Sequence, residues 1–121
     1  MNILIVDDSQ VIQRVLSLQL RKNGYEVAVA GSAAEALQRL EQAPVDLVIM
    51  DIAMPEVDGL TLLRQVRSDP RFQKLPIIML TASGQDQDRL TAREAGANDF
   101  LSKPTSSREL LDAVQRLLPE G

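Results

Sequence analysis

Short apolar runs of this sequence end in polar residues whose side chains could do chemistry together. These residues are Asp7, Asp8, Asp51, Thr81 and Lys103. Carboxylates at close quarters repel one another unless a cation neutralises them. Because the chain has no His and no Cys, only oxygen ligands are available, which favours a hard divalent ion such as Mg²⁺. A carboxylate beside such an ion can attack phosphorus, so the set predicts phosphoryl transfer onto an aspartate.

Each of these residues also has an ordinary structural explanation when it is taken alone. Asp7 and Asp8 are typical of a turn that leads into a helix, where acidic residues are favoured. Asp51 precedes a loop that contains Pro and Gly, and aspartate commonly begins loops. Thr81 is a common type of residue for a strand end, and Lys103 is a common surface residue. The joint occurrence at the ends of four strands, in this order, is what favours the chemical interpretation.

Apolar runs alternate with amphipathic stretches along the whole chain. Strands are predicted at residues 3–6, 26–30, 47–50, 77–80 and 98–101. The second is more polar, which indicates a position near a sheet edge. Three of these runs, 3–6, 47–50 and 77–80, are continuously apolar, as expected for strands buried on both faces of a parallel sheet. Helical crossovers between them then predict a sheet sandwiched between helices.

The intervening stretches carry helix patterns and boundary signals. The first has Ile12, Leu16 and Leu20 at helical spacing, with Val11, Val15 and Leu18 beside them, which predicts a wide apolar stripe. Other helices are predicted to begin at the S-x-x-E capping boxes of residues 32–35 and 106–109. Residues 86–95 predict a further helix, and Gly24 and Gly96 are well placed to end helices. In such folds the functional crevice lies beyond the carboxyl ends of the strands, which is where the five polar residues fall.

Composition excludes several classes of function. The chain has 121 residues, of which 45% are hydrophobic and 25% charged, and this suits one globular domain. The absence of Cys and His excludes disulfides, zinc–thiolate sites, serine–histidine catalysis and a phosphohistidine on this chain. A net charge of −4 with few aromatic residues disfavours nucleic-acid binding by this domain alone. No apolar run is long enough to cross a bilayer, so a soluble, cytoplasmic protein without membrane contact is expected.

The ordered motifs resemble a known family. The segments VDDSQVIQRVL (6–16), DLVIMDIAMPEVDGL (46–60), PIIMLTA (76–82) and AGANDFLSKP (95–104) are similar to those of receiver (phosphoacceptor) domains of two-component response regulators. The resemblance covers the whole chain and implies one receiver domain over residues 1–121. It implies an α/β fold with a five-stranded parallel sheet of order 2-1-3-4-5 and helices on both faces, the flavodoxin-like doubly wound arrangement.

The resemblance also assigns roles around a phosphorylation site. Asp51 corresponds to the phosphorylated aspartate. Asp7 and Asp8 correspond to the acidic pair that holds Mg²⁺ (or Mn²⁺), with Asp8 and Asp51 as direct ligands and Asp7 acting through water. The main-chain carbonyl of Ala53 would be a further ligand. Lys103 would contact a phosphoryl oxygen, or Asp51 when that residue is unphosphorylated.

Further positions correspond to the switching machinery of the family. Thr81 would move to hydrogen-bond the phosphoryl group, and Phe100 would swing inward behind it. That motion would couple the site to the surface formed by the fourth helix, fifth strand and fifth helix. Lys103–Pro104 resembles the family's cis peptide. Ala53 and Ser83 would line the path of the water that hydrolyses the acyl phosphate.

The resemblance therefore implies a phosphorylation-activated signalling switch and not a metabolic enzyme. Its own catalysis would be limited to accepting the phosphoryl group and to possible autodephosphorylation. A histidine kinase or histidine phosphotransfer protein would be the donor, and an effector or output domain would receive the signal. The surface formed by residues 86–118 is the expected surface for a partner or a homodimer. Contact candidates on that surface, which a solvated helix face explains equally well, are Arg89, Arg93, Arg108 and Arg116.

Three other functions suit the same fold class. An Mg²⁺-dependent phosphatase of the haloacid-dehalogenase type also uses an aspartyl nucleophile, but it needs an acid two residues further on, where this chain has Ala53. A flavodoxin-like cofactor carrier needs a phosphate-binding loop after the first strand, where Asp7 and Asp8 would repel phosphate. A metal-free interaction module would keep only the fold, and Asp51→Asn would then change nothing.

Overall fold

The computed structural model describes residues 1–54, 58–81, 86–103 and 105–118, with only the backbone for residues 86–89. Its strands are β1 (Asn2–Val6), β2 (Glu26–Ala30), β3 (Leu47–Asp51), β4 (Ile77–Thr81) and β5 (Asp99–Ser102). All four neighbouring pairs are parallel and the sheet order is β2-β1-β3-β4-β5, which confirms the predicted topology. β2 is an edge strand, as its polar composition indicated.

Helices cover both faces of this sheet. They are α1 (Gln10–Lys22), α2 (Ala33–Gln42), α3 (Gly59–Ser68), α4 (Asp86–Glu94) and α5 (Ser107–Leu117), with a short 3-10 helix at Pro70–Phe72. Ile3 and Ile5 of β1 pack with α1 and α5, whereas Leu4 and Val6 pack with α2 and α3 on the opposite face. Because successive side chains of a strand point to opposite faces, a strand covered on both sides must be apolar throughout.

The predicted capping residues start their helices. The Ser32 hydroxyl accepts the N–H of Glu35 (3.2 Å) and the Ser106 hydroxyl accepts the N–H of Glu109 (3.1 Å). The Glu35 carboxylate accepts the N–H of Gly31 at 2.6 Å, one residue before the cap. Each serine thus satisfies an N–H that the first helical turn leaves without a partner.

The apolar stripe of α1 is narrower than predicted. Leu16 and Leu20 are buried, but Val11, Val15 and Leu18 are 70%, 44% and 58% exposed. Successive residues of a helix are turned by about 100°, and α1 meets the sheet along one line only. The three exposed residues therefore lie on the flank of the helix that faces away from the sheet. None of the described helices is long and apolar enough to cross a membrane.

Candidate functional site

The carboxyl ends of β1, β3 and β4 bring the predicted residues together. Val6 is in register with Met50, and Asp51 is in register with Leu80. Asp7, which follows β1, and Asp51, which ends β3, therefore lie side by side at one edge of the sheet. Each of Asp7, Asp8 and Asp51 offers a carboxylate oxygen within 4.8 Å of the others. Asp7 and Asp51 are buried and Asp8 is exposed, so the cluster opens to solvent on the Asp8 side.

Lys103 joins the two buried carboxylates. Its Nζ lies 2.8 Å from Asp7 Oδ2 and 3.1 Å from Asp51 Oδ2. Partial burial of the ammonium lowers its pKa, but the hydrogen bonds to Asp7 and Asp51 outweigh burial, so the pKa of Lys103 is raised overall. Lys103 follows β5, and its N–H donates to the Thr81 carbonyl at 2.7 Å, which fixes the start of the side chain against β4. The lysine is therefore a charged member of the site and not a solvated surface residue.

Asp7 is held on both sides of its carboxylate. Its Oδ1 accepts the N–H of Ser9 at 2.9 Å, while Oδ2 faces Lys103. Its own N–H donates to the Ala30 carbonyl of β2 at 3.0 Å. The turn between β1 and α1 is thus built around the Asp7 side chain, and Ser9 in turn caps α1 by accepting the N–H of Ile12. These contacts confirm the turn and helix-start explanation of the acidic pair, and they also place the Asp7 carboxylate beside Lys103.

Asp51 has an unusual electrostatic environment for a carboxylate. Burial raises its pKa, and the nearby Asp7 charge raises it further. The N–H of Ala53, which donates to Asp51 Oδ1 at 3.2 Å, and the Lys103 ammonium oppose that rise without cancelling it. A partly desolvated carboxylate with a raised pKa is a stronger nucleophile when ionised than one held by strong hydrogen bonds.

Thr81 and Phe100 lie one strand further along the sheet. Thr81 is the last residue of β4, buried, and in register with Ser102 of β5. Phe100 of β5 is half-buried and packs against the core cluster on the α2–α3 side of the sheet. The guanidinium of Arg93 in α4 lies 5.6 Å from the centre of the Phe100 ring. The two residues occupy adjacent strands, which is the arrangement that a relay from the site to α4 requires.

Among the described residues, three of the four candidate contact arginines have partners within the chain. Arg116 is paired with Asp99 at 2.6 Å, and Arg93 lies over Phe100. Arg108 is highly exposed, and its Nε lies 4.0 Å from Asp112 Oδ2. An exposed ion pair at this distance contributes little to stability. The predictions that concern Ser83, Pro104 and the side chain of Arg89 lie outside the described residues.

Two residues near the site were not singled out by their sequence patterns. Gly59 begins α3, and a Cβ on it would overlap the Asp51 carbonyl oxygen and lie 2.8 Å from Ile52 Cα. Glycine at the first helical position, directly after the N-cap Asp58, is the sequence signal that could have indicated this close approach. Gln13 of α1 donates from Nε2 to the Asp7 carbonyl at 2.5 Å, and nothing in the sequence predicts that contact.

Comparison with known proteins agrees with the geometry. The family model described as "Response regulator receiver domain" matches residues 3–115. The chain belongs to this family. It is 42% identical over 117 residues to the transcriptional regulatory protein GltR of Pseudomonas aeruginosa, a match that covers 97% of this chain and 48% of GltR. It is 38% identical over 120 residues to the chemotaxis protein CheY1 of Helicobacter pylori, which covers 98% of this chain and 97% of CheY1.

Solved structures place this receiver domain in the same fold. The chemotaxis protein CheY4 of Vibrio cholerae superimposes with a TM-score of 0.91 at 34% identity, covering 96% of this chain and 97% of that one. A candidate response regulator from Chloroflexus aurantiacus gives a TM-score of 0.93 at 43% identity, covering 98% and 97%. The receiver domain spans about half the length of several curated relatives, including GltR, and nearly all of CheY1. These relatives are signalling proteins, and the receiver domain is consistent with a phosphorylation-activated switch.

Proposed function

We propose that this receiver domain is switched by phosphorylation of Asp51. The observation that carries the proposal is the placement of Asp51, a buried carboxylate within 4.8 Å of two further carboxylates and 3.1 Å from an ammonium. Charges of both signs around one nucleophile suit the transfer of a phosphoryl group, whose oxygens need cationic partners. A purely structural carboxylate would be expected at the surface or fully satisfied by one partner.

The donor set fits a hard divalent cation. Asp7, Asp8 and Asp51 provide only oxygens, and with Lys103 they carry a formal charge of −2 when all are ionised. A divalent ion balances that charge, and Mg²⁺ (or Mn²⁺) suits a site that is open to water at Asp8. We propose Asp8 and Asp51 as direct ligands, Asp7 as a ligand through water and the Ala53 carbonyl as a further ligand. When bound, the ion would supply positive charge beside the transferred oxygens.

The chain's own residues account for the chemistry of transfer. A carboxylate oxygen of Asp51 attacks the phosphorus of the donor; a P–O bond forms and the bond from phosphorus to the donor's imidazole nitrogen breaks. The electron pair leaves on that nitrogen. The donor becomes a neutral histidine at once if its other ring nitrogen carries a proton, and otherwise after it takes up one proton. Lys103, already between Asp7 and Asp51, shifts its hydrogen bond from the free carboxylate to a phosphoryl oxygen.

The same placement supports a route for the signal. In the proposed switch, Thr81 turns its hydroxyl towards the phosphoryl group and Phe100 fills the space that this opens. Phe100 already contacts Arg93 of α4, so its movement changes the surface formed by α4, β5 and α5. A bulky aromatic on the strand next to the site can transmit a small shift because the packed interior has few intermediate arrangements.

Donor and recipient are separate molecules or domains in this proposal. The chain has no histidine, so a histidine kinase or histidine phosphotransfer protein would supply the phosphoryl group. The recipient would be an output domain on the same polypeptide, for which the greater length of GltR leaves room, or a separate effector, since CheY1 is about as long as this chain. A homodimer through α4, β5 and α5 and a cytoplasmic location stay predictions of the sequence.

Intact-mass spectrometry tests the proposal directly. The protein is incubated with Mg²⁺ and acetyl phosphate, and one added phosphoryl group is expected. Asp51→Asn should show none, whereas Asp112→Asn, at an exposed position of α5, should react like the wild type. An adduct on Asp51→Asn would contradict the assignment. No adduct together with no measurable Mg²⁺ affinity would support the metal-free interaction module.

A Mg²⁺ titration tests the cation site separately from the chemistry. Asp8→Asn removes the exposed carboxylate and leaves the Asp7–Lys103–Asp51 contacts in place. We expect Mg²⁺ affinity to fall by about tenfold or more, because a charged oxygen ligand is lost. The unfolding free energy without Mg²⁺ should stay the same or rise, since one of three mutually repelling carboxylates is gone. Unchanged Mg²⁺ affinity in this variant would place the ion elsewhere.

A further inference from the structure

The Gln13 side chain contacts the main chain of the acidic pair, at the Asp7 carbonyl. Gln13 lies in the first turn of α1, where its own N–H donates to the Ser9 carbonyl at 3.0 Å. Its side chain is half-buried and turns back towards the sheet, where Nε2 donates to the Asp7 carbonyl at 2.5 Å. Neither contact involves a carboxylate. Gln13 is therefore not one of the proposed ligands, but its side chain is hydrogen-bonded to the peptide that joins Asp7 and Asp8.

That peptide unit joins the two acids. The Asp7 carbonyl and the Asp8 N–H share one plane, so the direction of the carbonyl sets where the chain to Asp8 leaves β1. The preceding peptide is held by β2, because the Asp7 N–H donates to the Ala30 carbonyl. β2 ends at Ala30. The donor to the carbonyl of the following peptide, that of Asp7, is the Gln13 side chain. Without it, the plane between Asp7 and Asp8 loses a hydrogen bond that holds its direction.

We propose that Gln13 is a positioning residue for the cation site, acting through the Asp7–Asp8 peptide. The inference rests on the proposed function, because it concerns the same Mg²⁺ site. Asp7 is fixed by Ser9 and Lys103, whereas Asp8 is exposed and depends on the backbone for its direction. Groups that orient ligands affect metal affinity without touching the metal.

The test is a Mg²⁺ titration of Gln13→Met against a matched control. Methionine keeps the length and helix preference of the side chain and removes the amide donor. We expect the Kd for Mg²⁺ to rise roughly three- to tenfold, as the loss of one oriented hydrogen bond implies. Gln10→Met is the control, because Gln10 has the same chemistry, lies in the same turn and is exposed. Its Kd should equal that of the wild type.

Two further readouts separate positioning from general destabilisation. In Gln13→Met the carbonyl carbon of Asp7 should shift upfield in the NMR spectrum, as expected when a carbonyl loses a hydrogen bond. The rate of phosphorylation by acetyl phosphate should be reduced at limiting Mg²⁺ and return to the wild-type rate when Mg²⁺ is saturating. Gln13→Asn, whose amide is one methylene too short, should reproduce the loss of affinity.

The inference and the proposed function fail differently. If wild-type protein binds no Mg²⁺, the cation site and this inference are both overturned. If the wild type binds Mg²⁺ and Gln13→Met binds it equally well, only the role of Gln13 is overturned. Equal losses in Gln13→Met and Gln10→Met would also overturn it, because the effect would then belong to the helix and not to the Asp7 contact.

Discussion

Lys103 lies closer to Asp7 than to Asp51, with Nζ–Oδ2 distances of 2.8 and 3.1 Å. The resemblance implied a contact with a phosphoryl oxygen, or with Asp51 in the unphosphorylated protein, and none with Asp7. One ammonium is therefore shared between the fully buried member of the acidic pair and the proposed nucleophile. Because both partners are buried, the lysine contributes to the integrity of the site before any phosphoryl group arrives.

Replacing Lys103 should reduce both stability and phosphorylation. Lys103→Ala leaves Asp7 and Asp51 without a cation, and we expect the unfolding free energy without Mg²⁺ to fall by about 1–3 kcal/mol. Urea denaturation with and without Mg²⁺ measures this, and the ion should restore part of the loss by binding the folded state. The rate of adduct formation with acetyl phosphate should also fall. A variant as stable as the wild type without Mg²⁺ would show that solvent already compensates these carboxylates.

Gly59 should tolerate no side chain. A Cβ there would overlap the Asp51 carbonyl oxygen, so β3 and α3 would have to separate beside the proposed nucleophile. We expect Gly59→Ala to lower the unfolding free energy by roughly 2–4 kcal/mol. Gly31→Ala is the control, because its Cβ would meet only ordinary contacts at 3.7 and 3.9 Å. Equal denaturation midpoints for the two variants would contradict the close approach.

Gly96 should be more sensitive to substitution than Gly24. Both have positive φ, +111° and +90°, which costs an L-residue about 1–2 kcal/mol. A Cβ on Gly24 would meet open space, whereas one on Gly96 would lie 2.9 Å from Arg67 Cγ. Arg67 is itself held there, since its Nε donates to the Gly96 carbonyl at 2.9 Å. Gly96→Ala should therefore lower the thermal midpoint further than Gly24→Ala, and the reverse order would contradict the Arg67 contact.

The stabilisation of α3 by Asp58 should be lost at acidic pH. Its carboxylate accepts the N–H of Thr61 at 2.8 Å, and this hydrogen bond lowers the Asp58 pKa. The stabilisation is therefore present above the unfolded pKa of about 3.9 and is lost as the pH falls through the lower folded pKa. At pH 7, Asp58→Ala should cost about 1 kcal/mol.

Denaturation at pH 7 and near pH 2.5 measures this dependence. The difference between wild type and Asp58→Ala should shrink at the lower pH, because protonation weakens the wild-type cap. Asp58→Asn keeps a capping oxygen at both pH values, so its stability relative to Asp58→Ala should change less. A constant difference between wild type and Asp58→Ala across this range would exclude an ionised cap as the cause.

Sequence patterns predicted most of the fold because local rules govern most of it. The run from Ile3 to Val6 indicated a strand covered on both faces, and Ser32 and Ser106 marked helix starts that the structure confirms. The pattern failed on α1, where apolar residues at Val11, Val15 and Leu18 are exposed. Hydrophobicity alone does not say how wide a line of contact a helix makes with the sheet.

The sequence by itself determined which residues meet at the site, because parallel strands bring their carboxyl ends to one edge and Asp7, Asp51 and Thr81 stand at those ends. Only the tertiary structure decided how they meet. The contact of Lys103 with Asp7 as well as Asp51, the overlap that a Cβ on Gly59 would cause and the hydrogen bond from Gln13 to the Asp7 carbonyl are relations between different elements. They depend on how closely these elements approach one another, which packing sets and no local pattern encodes.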